Sequence, residues 1–224
     1  MKNMKKLVVM LVCVMAIGLL GGCGKSFDAS AYTKALLDNS YKNDPSGIVD
    51  MKIGTAEEAA ALYEEGLDNE MEAMGASSDF TEEQVAAYRE VIADILAGAK
   101  YTVGEAEKQD DGSYVVTVTY EQMNIFEPAM EAYMAEVTEM TTVWTEAVLA
   151  GEEAPTEEEM YNEIIVALKD CLAETLTTVT YDEPATATVR IELVDKKYQP
   201  NEADIANLES VFFDIDAMNN MSFE

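Results

Sequence analysis

Histidine is absent from all 224 residues. That removes Ser-His-Asp and Cys-His nucleophilic sites, histidine zinc centres and imidazole acid–base chemistry. A hydrolase built from this chain would have to use carboxylates alone or a Ser-Lys pair. Cysteine is scarce as well, with only Cys13, Cys23 and Cys171. Three are too few for the disulfide framework of a small secreted domain, so the fold must stand on its own core. Positive charge is the third shortage: 14 Lys plus Arg face 44 Asp plus Glu, for a net charge of −30. Phosphate binding needs clustered Lys and Arg, so nucleic acid is not an expected partner. The same imbalance argues against the protein surface adhering to anionic lipid.

Long apolar runs are missing too, apart from Leu7 to Leu20 at the N-terminus. Lys2, Lys5 and Lys6 precede that run, in the order of a secretory signal. A 14-residue helix rises only about 21 Å, short of the roughly 30 Å hydrocarbon core, so a permanent transmembrane anchor is the weaker reading. The run ends in Leu20, Gly21, Gly22 and Cys23.

A cysteine at this place, after small residues, resembles the lipobox of bacterial lipoproteins. In that family the thiol receives a diacylglyceryl group, the preceding peptide is removed, and the cysteine becomes the new N-terminus. The pattern has Leu at the third position before the cysteine and Gly or Ala just before it. Leu20 and Gly22 match, and Gly21 is unusual but small. The resemblance implies lipidation of Cys23 and attachment to the extracytoplasmic face of the cell membrane. The alternative is an ordinary signal with an incidental cysteine. One acyl chain binds a membrane only marginally, whereas two hold firmly.

Three segments follow: a signal over 1–22, a short tether over 23–28, and one acidic domain over 29–224. About 200 residues of globular composition are enough for one well-cored domain. Cleavage before Cys23 removes three lysines and takes the charge from −30 to about −33. Five extended tether residues reach at most about 18 Å, so the domain should sit close to the membrane.

Ala29 to about Lys42 reads as a helix with Tyr32, Leu36 and Leu37 inward, stopping before the turn-rich Asn43 to Gly47. Thr55, Thr81 and Thr156 each stand three residues before Glu58, Gln84 and Glu159. This is the capping-box spacing, and the acidic first turns suit the helix dipole. Helical spacing then groups Tyr63, Leu67, Met71 and Met74; Val85, Tyr88, Ile92 and Ile95; and Met160, Ile164, Leu168 and Cys171. Between them the period drops to two. Lys100–Glu107 and Ser113–Glu121 flank Asp110-Asp111-Gly112, a hairpin signal. Phe126 to about Ala150 returns to helix, with Phe126, Met130, Tyr133, Val137, Met140 and Trp144 in steps of four and three.

Thr177–Tyr181, a turn at Asp182 to Pro184, and Ala185–Lys196 read as two more strands. In the second, Val189 and Ile191 lie on the face opposite Arg190. A last short helix follows Pro200 and Asn201, carrying Ile205, Leu208, Val211 and Phe212. Capped helix then hairpin thus occurs twice, from Thr81 and from Thr156. Either an internal duplication or a common fold rhythm would produce that. The expected fold is α+β, with long helices packed on an antiparallel sheet of three or four strands.

The order Ala31-Tyr32, Lys34-Ala35-Leu36-Leu37-Asp38, Tyr41-Lys42, Lys100-Tyr101 and Asp110-Asp111-Gly112 before alternating Tyr114 to Val118 resembles uncharacterised lipoproteins of Gram-positive anaerobic bacteria. That family brings no assigned activity or catalytic residue. Its pattern is similar to cystatin-like and NTF2-like domains, which often act as binding modules.

Individual candidates are few. Cys171, at core spacing and without basic neighbours in sequence, reads as a buried, inert thiol. Glu152, Glu153, Glu157 to Glu159, Asp214 and Asp216 read as solvated surface rather than a Ca²⁺ site, since no EF-hand spacing exists. Arg190, one of two arginines, could contact an anionic ligand or pair with a carboxylate, the pair being favoured. Trp144 could line an apolar pocket, although core packing is favoured. Asn220-Met221-Ser222 matches a glycosylation sequon to which no function attaches. No catalytic residue, metal ligand or cofactor is expected. The chain reads as a non-enzymatic, membrane-anchored extracytoplasmic lipoprotein that binds a small ligand or an envelope protein. A carboxylate-only cell-wall glycan hydrolase is the alternative.

Overall fold

The structure, a computed structural model, describes residues 17–18, 27–73 and 80–215. Cys23, Met74, Asp216 and the sequon at Asn220 lie outside them. In chain order the elements are β1 (Ile17–Gly18), α1 (Ala29–Lys42), α2 (Ser46–Asp50), α3 (Ala56–Ala73) and α4 (Glu82–Ala97). Then come β2 (Lys100–Lys108), β3 (Tyr114–Glu121), β4 (Met123–Asn124), α5 (Phe126–Leu149) and α6 (Glu157–Thr177). The chain closes with β5 (Thr180–Tyr181), β6 (Ala185–Val194), β7 (Lys197–Pro200) and α7 (Glu202–Phe212). The architecture is α+β, as expected.

The main sheet is antiparallel, in the order β7-β6-β3-β2, with the two-residue β1 added beside β7. Removal of residues 1–22 would take β1 away and leave four strands. Alternation decides which face is buried. Tyr114, Val116 and Val118 of β3 and Val189 and Ile191 of β6 turn into the core, while Arg190 turns out. α1 lies at the centre and touches both β2 and β3 as well as α2, α3 and α4. Tyr32, Leu36, Leu37 and Tyr41 are buried there, and α7 adds Ile205, Leu208 and Phe212. Each such aliphatic side chain contributes about 1.5–3 kcal/mol on leaving water.

All three capping boxes form. Thr55, Thr81 and Thr156 accept from the N–H groups of Glu58, Gln84 and Glu159, whose side chains bond back to the threonine N–H. Asp28 and Asn201 cap α1 and α7 by the forward bond alone, accepting from the N–H groups of Ala31 and Asp204.

Two expectations about the second hairpin need correction. Thr180–Tyr181 pairs with Met123–Asn124, not with the strand that follows it. β6 lies between β3 and β7, and its hairpin partner is β7, across a turn at Asp195 and Lys196, both in the left-handed region (φ 49° and 63°). Sequence-level turn signals centre on Gly and Asn, and this pair carries neither. A capped helix followed later by a hairpin therefore does recur, with different strands.

The start of the domain is pinned to one end of the sheet. Phe27 stacks on Tyr198 of β7 at 3.9 Å between ring centroids, and meets Tyr32 and Tyr114 edge-on at 5.5 and 5.6 Å. The polypeptide thus enters the fold beside β7 and the first residue of β3.

Candidate functional site: an acidic helical arm

α5 and α6 form an antiparallel pair that stands partly clear of the body. α5 packs chiefly on α6, and α6 in turn on α4. Tyr88 of α4 donates its hydroxyl to the Ile165 carbonyl at 2.5 Å, and Gln84 donates to the Asn162 side chain at 3.1 Å. Ile165, Ala167 and Leu172 are the buried residues of α6. Among the described residues, the main core takes Phe126 and Ala129 from α5. Beyond Met130 every residue of α5 is half-buried or exposed.

The seam expected on α5 is present in weakened form: Tyr133, Val137, Met140 and Trp144 are half-buried. Gly151 closes the helix with φ of 90°, a conformation that disfavours any residue with a Cβ. Its N–H reaches the Val148 carbonyl and that of Glu152 reaches Ala147, the pattern of a left-handed helix end.

The other end of α5 is held by a residue that its own sequence neighbourhood does not supply. No side chain at Ile125 caps the helix. Instead Asp214, 87 to 89 residues later, accepts from the N–H groups of Ile125, Phe126 and Glu127 at 3.0, 2.8 and 2.8 Å. A carboxylate at a helix N-terminus satisfies orphan donors and complements the dipole. The acidic residue weighed as a metal ligand is thus a remote helix cap. Asp214→Ala should destabilise the protein by about 1–3 kcal/mol, read from the midpoint of denaturant unfolding. A loss within about 0.3 kcal/mol would contradict the capping role.

Four threonines run along the solvent side of α5. Thr138, Thr141, Thr142 and Thr145 each donate their hydroxyl to the carbonyl four residues earlier, at 2.8 to 2.9 Å. That bond satisfies the hydroxyl within the helix and leaves the methyl group toward water. Beside them Met134, Val143, Val148 and Leu149 are 44%, 56%, 46% and 82% exposed, and Tyr161 and Val166 of α6 are 42% and 45% exposed. Six of the nine large apolar side chains found exposed among the described residues therefore lie on this arm. Between Phe126 and Thr177 the charges are thirteen carboxylates and the single Lys169, which is ion-paired with Asp170.

The remaining candidates fall elsewhere. Cys171 is half-buried rather than enclosed. Burial, followed by Glu136, Glu174 and Asp170, pushes its thiol pKa up and keeps it protonated. Arg190 donates to both oxygens of Asp204 at 2.7 and 3.2 Å, with Glu192 at 3.9 Å. It is an ion-pair partner on the β6–α7 surface. Trp144 belongs to α5, so the structure does not join the two into one site. Glu152, Glu153 and Glu157 to Glu159 are exposed. Among the described residues no group of three or more acidic, Cys or His side chains is placed to hold a metal ion.

Sequence reasoning missed a second acidic feature, in the core. Glu70 of α3 and Glu209 of α7 are 8% and 2% exposed, and both act electrostatically on the buried hydroxyl of Tyr41. Burial raises the Glu70 carboxyl from 4.5 to about 7. Tyr41 rises well above its ordinary value, from burial first and then from Glu209, Tyr101 and Glu70. The signal was available: Glu70 falls in helical register with Tyr63 and Leu67, and Glu209 with Ile205 and Phe212.

The fold recurs among solved proteins, although the sequence finds no relative. No protein-family profile and no curated protein matches the chain. The crystal structure of a candidate lipoprotein, YcdA of Bacillus subtilis, superposes with a TM-score of 0.55 at 15% identity. The match covers 83% of this chain and 56% of that one, so this chain spans little more than half of its structural relative. At that identity the likeness is one of fold.

Proposed function

We propose that the chain is a lipid-anchored extracytoplasmic protein, not an enzyme, that works by docking a partner protein on the α5–α6 arm. The lipobox at Leu20 to Cys23 supports the anchor. So does the description of the fold relative as a candidate lipoprotein. No helix of the described residues is long and apolar enough to cross a membrane.

The observation that carries the docking reading is the position of the arm. The anchor enters the fold at Phe27, against Tyr198 and the Tyr114 end of β3. α5 begins five residues after β3 has run its eight residues the other way, a distance of about 23 Å. An apolar surface rimmed with carboxylates is thus rooted at the end of the sheet away from the bilayer. Exposed apolar groups inside a polar rim suit a protein partner. A small ligand would call for an enclosed pocket, whereas Arg190 is tied to Asp204 and Trp144 is half-buried on its own helix.

The glycan-hydrolase alternative would need two carboxylates facing each other across an open cleft, about 5–9.5 Å apart. Glu70 and Glu209 are shut inside the core, where a glycan could not reach them.

A photo-crosslinking residue placed at Val143 or Leu149 in intact cells should give discrete protein adducts. The same residue at the exposed Glu105 of β2 should give none. Equal adducts at all three positions, or none on the arm, would remove the arm as the docking site.

A further inference from the structure

α5 carries two heptad seams, and only one has a partner. The first, from Phe126 through Met130, Tyr133, Val137, Met140 and Trp144, runs in steps of four and three and is the half-buried side of the α5–α6 pair. The second comprises Met134, Thr138, Thr141, Thr145 and Val148. Its steps are again four, three, four and three, and all five residues are exposed. A repeat averaging 3.5 residues is the spacing at which one helix keeps a continuous face toward another. Met134, Thr138, Thr141 and Thr145 each follow a residue of the first seam by a single position, so the two seams lie about 100° apart on this helix. That is the arrangement of a helix with two helical neighbours.

The chemistry of the second seam agrees with its spacing. It contains no charge. The hydroxyls of Thr138, Thr141 and Thr145 are bonded to carbonyls of α5 itself, so methyl groups face outward between Met134 and Val148. From Met134 to Val148 the seam is about 21 Å long, matching a partner helix of roughly four turns.

Charge selects among possible occupants. The arm offers thirteen carboxylates and one lysine that is already ion-paired. A second copy of the chain would bring the same excess negative charge to the interface. An anionic bilayer would be repelled for the same reason. Positive residues flanking an apolar seam would instead meet Glu127, Glu131, Glu139 and Glu146. Flanking charges of this kind set partner choice in helical bundles.

We propose that the open seam of α5 receives a cationic amphipathic helix of an envelope protein, which lies along α5 on the face next to the one that α6 covers. This rests on the reading of the arm as the docking site and names the partner's chemistry.

The test uses the purified full chain in detergent at physiological ionic strength. The probe is a synthetic helix of about 18 residues with Leu at the seam positions and Lys beside them. Its counterpart carries Glu in place of Lys. The Lys helix should bind at one-to-one stoichiometry, and the Glu helix at least about tenfold more weakly. The decisive variant is Thr141→Glu with Thr145→Glu. Both positions are exposed and Glu is the better helix former, so helicity should be kept, as circular dichroism would verify. The variant adds two negative charges yet interrupts the apolar seam. Binding at least about tenfold weaker supports docking on the seam. Equal or tighter binding would mean diffuse charge attraction and would overturn the proposal. Concentration-dependent dimers in place of Lys-helix binding would also overturn it. If crosslinks from Val143 and Leu149 persist while the Lys helix fails to bind, the arm still docks a protein and only the helical partner is wrong. If both fail, the docking reading falls with it.

Discussion

Replacing Cys23 with alanine should move the protein from the membrane to the soluble fraction and abolish its labelling by fatty acid. The effect is expected to be large because the strongly acidic chain that follows the signal has no charge attraction to an anionic leaflet. Removal of the signal leaves a net charge of about −33, which an anionic leaflet repels. Two acyl chains are what convert marginal binding into stable anchoring. The geometry leaves little slack. Phe27 is already packed on Tyr198, so only three residues lie between Cys23 and the fold, and the four steps span at most about 14 Å. An uncleaved Leu7–Leu20 run could hold part of a Cys23→Ala population by itself. Adding Leu20→Ala and Gly22→Ala creates an Ala-x-Ala site and removes that ambiguity. Fractionation and metabolic labelling read the outcome. Persistent labelling of the triple variant would sink the lipoprotein reading.

The parts of the fold that were legible in the sequence are those governed by neighbours a few residues apart. Capping boxes at Thr55, Thr81 and Thr156 depend on a residue three positions away, and all three formed. The β2–β3 hairpin depends on a short turn and on alternation, and it forms, with a register shift between Val103 and Ala106 that alternation does not announce. What escaped was set by contacts distant in sequence. Asp214 caps α5 from 87 to 89 residues away, a pairing visible only once β4 and the end of α7 are side by side. β5 pairs with β4 across more than fifty residues, so proximity to β6 in the chain was misleading. The candidate surface was half legible. The α5 seam that packs on α6 was read as a seam. The open one escaped because threonine counts as polar until its hydroxyl is seen bonded to its own helix.

Glu70→Gln should make the protein markedly more stable at neutral pH and flatten its stability profile. Glu70 is 8% exposed, and burial raises its carboxyl from 4.5 to about 7. Between those values the folded state holds a proton that the unfolded chain has released. Stability therefore falls as pH rises from about 4.5 to 7, and stays on the lower plateau above that. The full drop is about 3 kcal/mol at 1.36 kcal/mol per pKa unit, a large share of a total stability of roughly 5–15 kcal/mol. Glutamine keeps the size and a polar end group but cannot ionise. The variant should match the parent near pH 4.5 and exceed it by about 2–3 kcal/mol near pH 8, measured by urea unfolding across that range. Glu65→Gln, five residues earlier on the exposed side of α3, serves as the control and should shift stability by less than about 0.5 kcal/mol. If the Glu70→Gln profile keeps the parent's slope between pH 4.5 and 7, some other buried acid is responsible. Glu209, the other buried carboxyl that acts on Tyr41, would then be the next to replace.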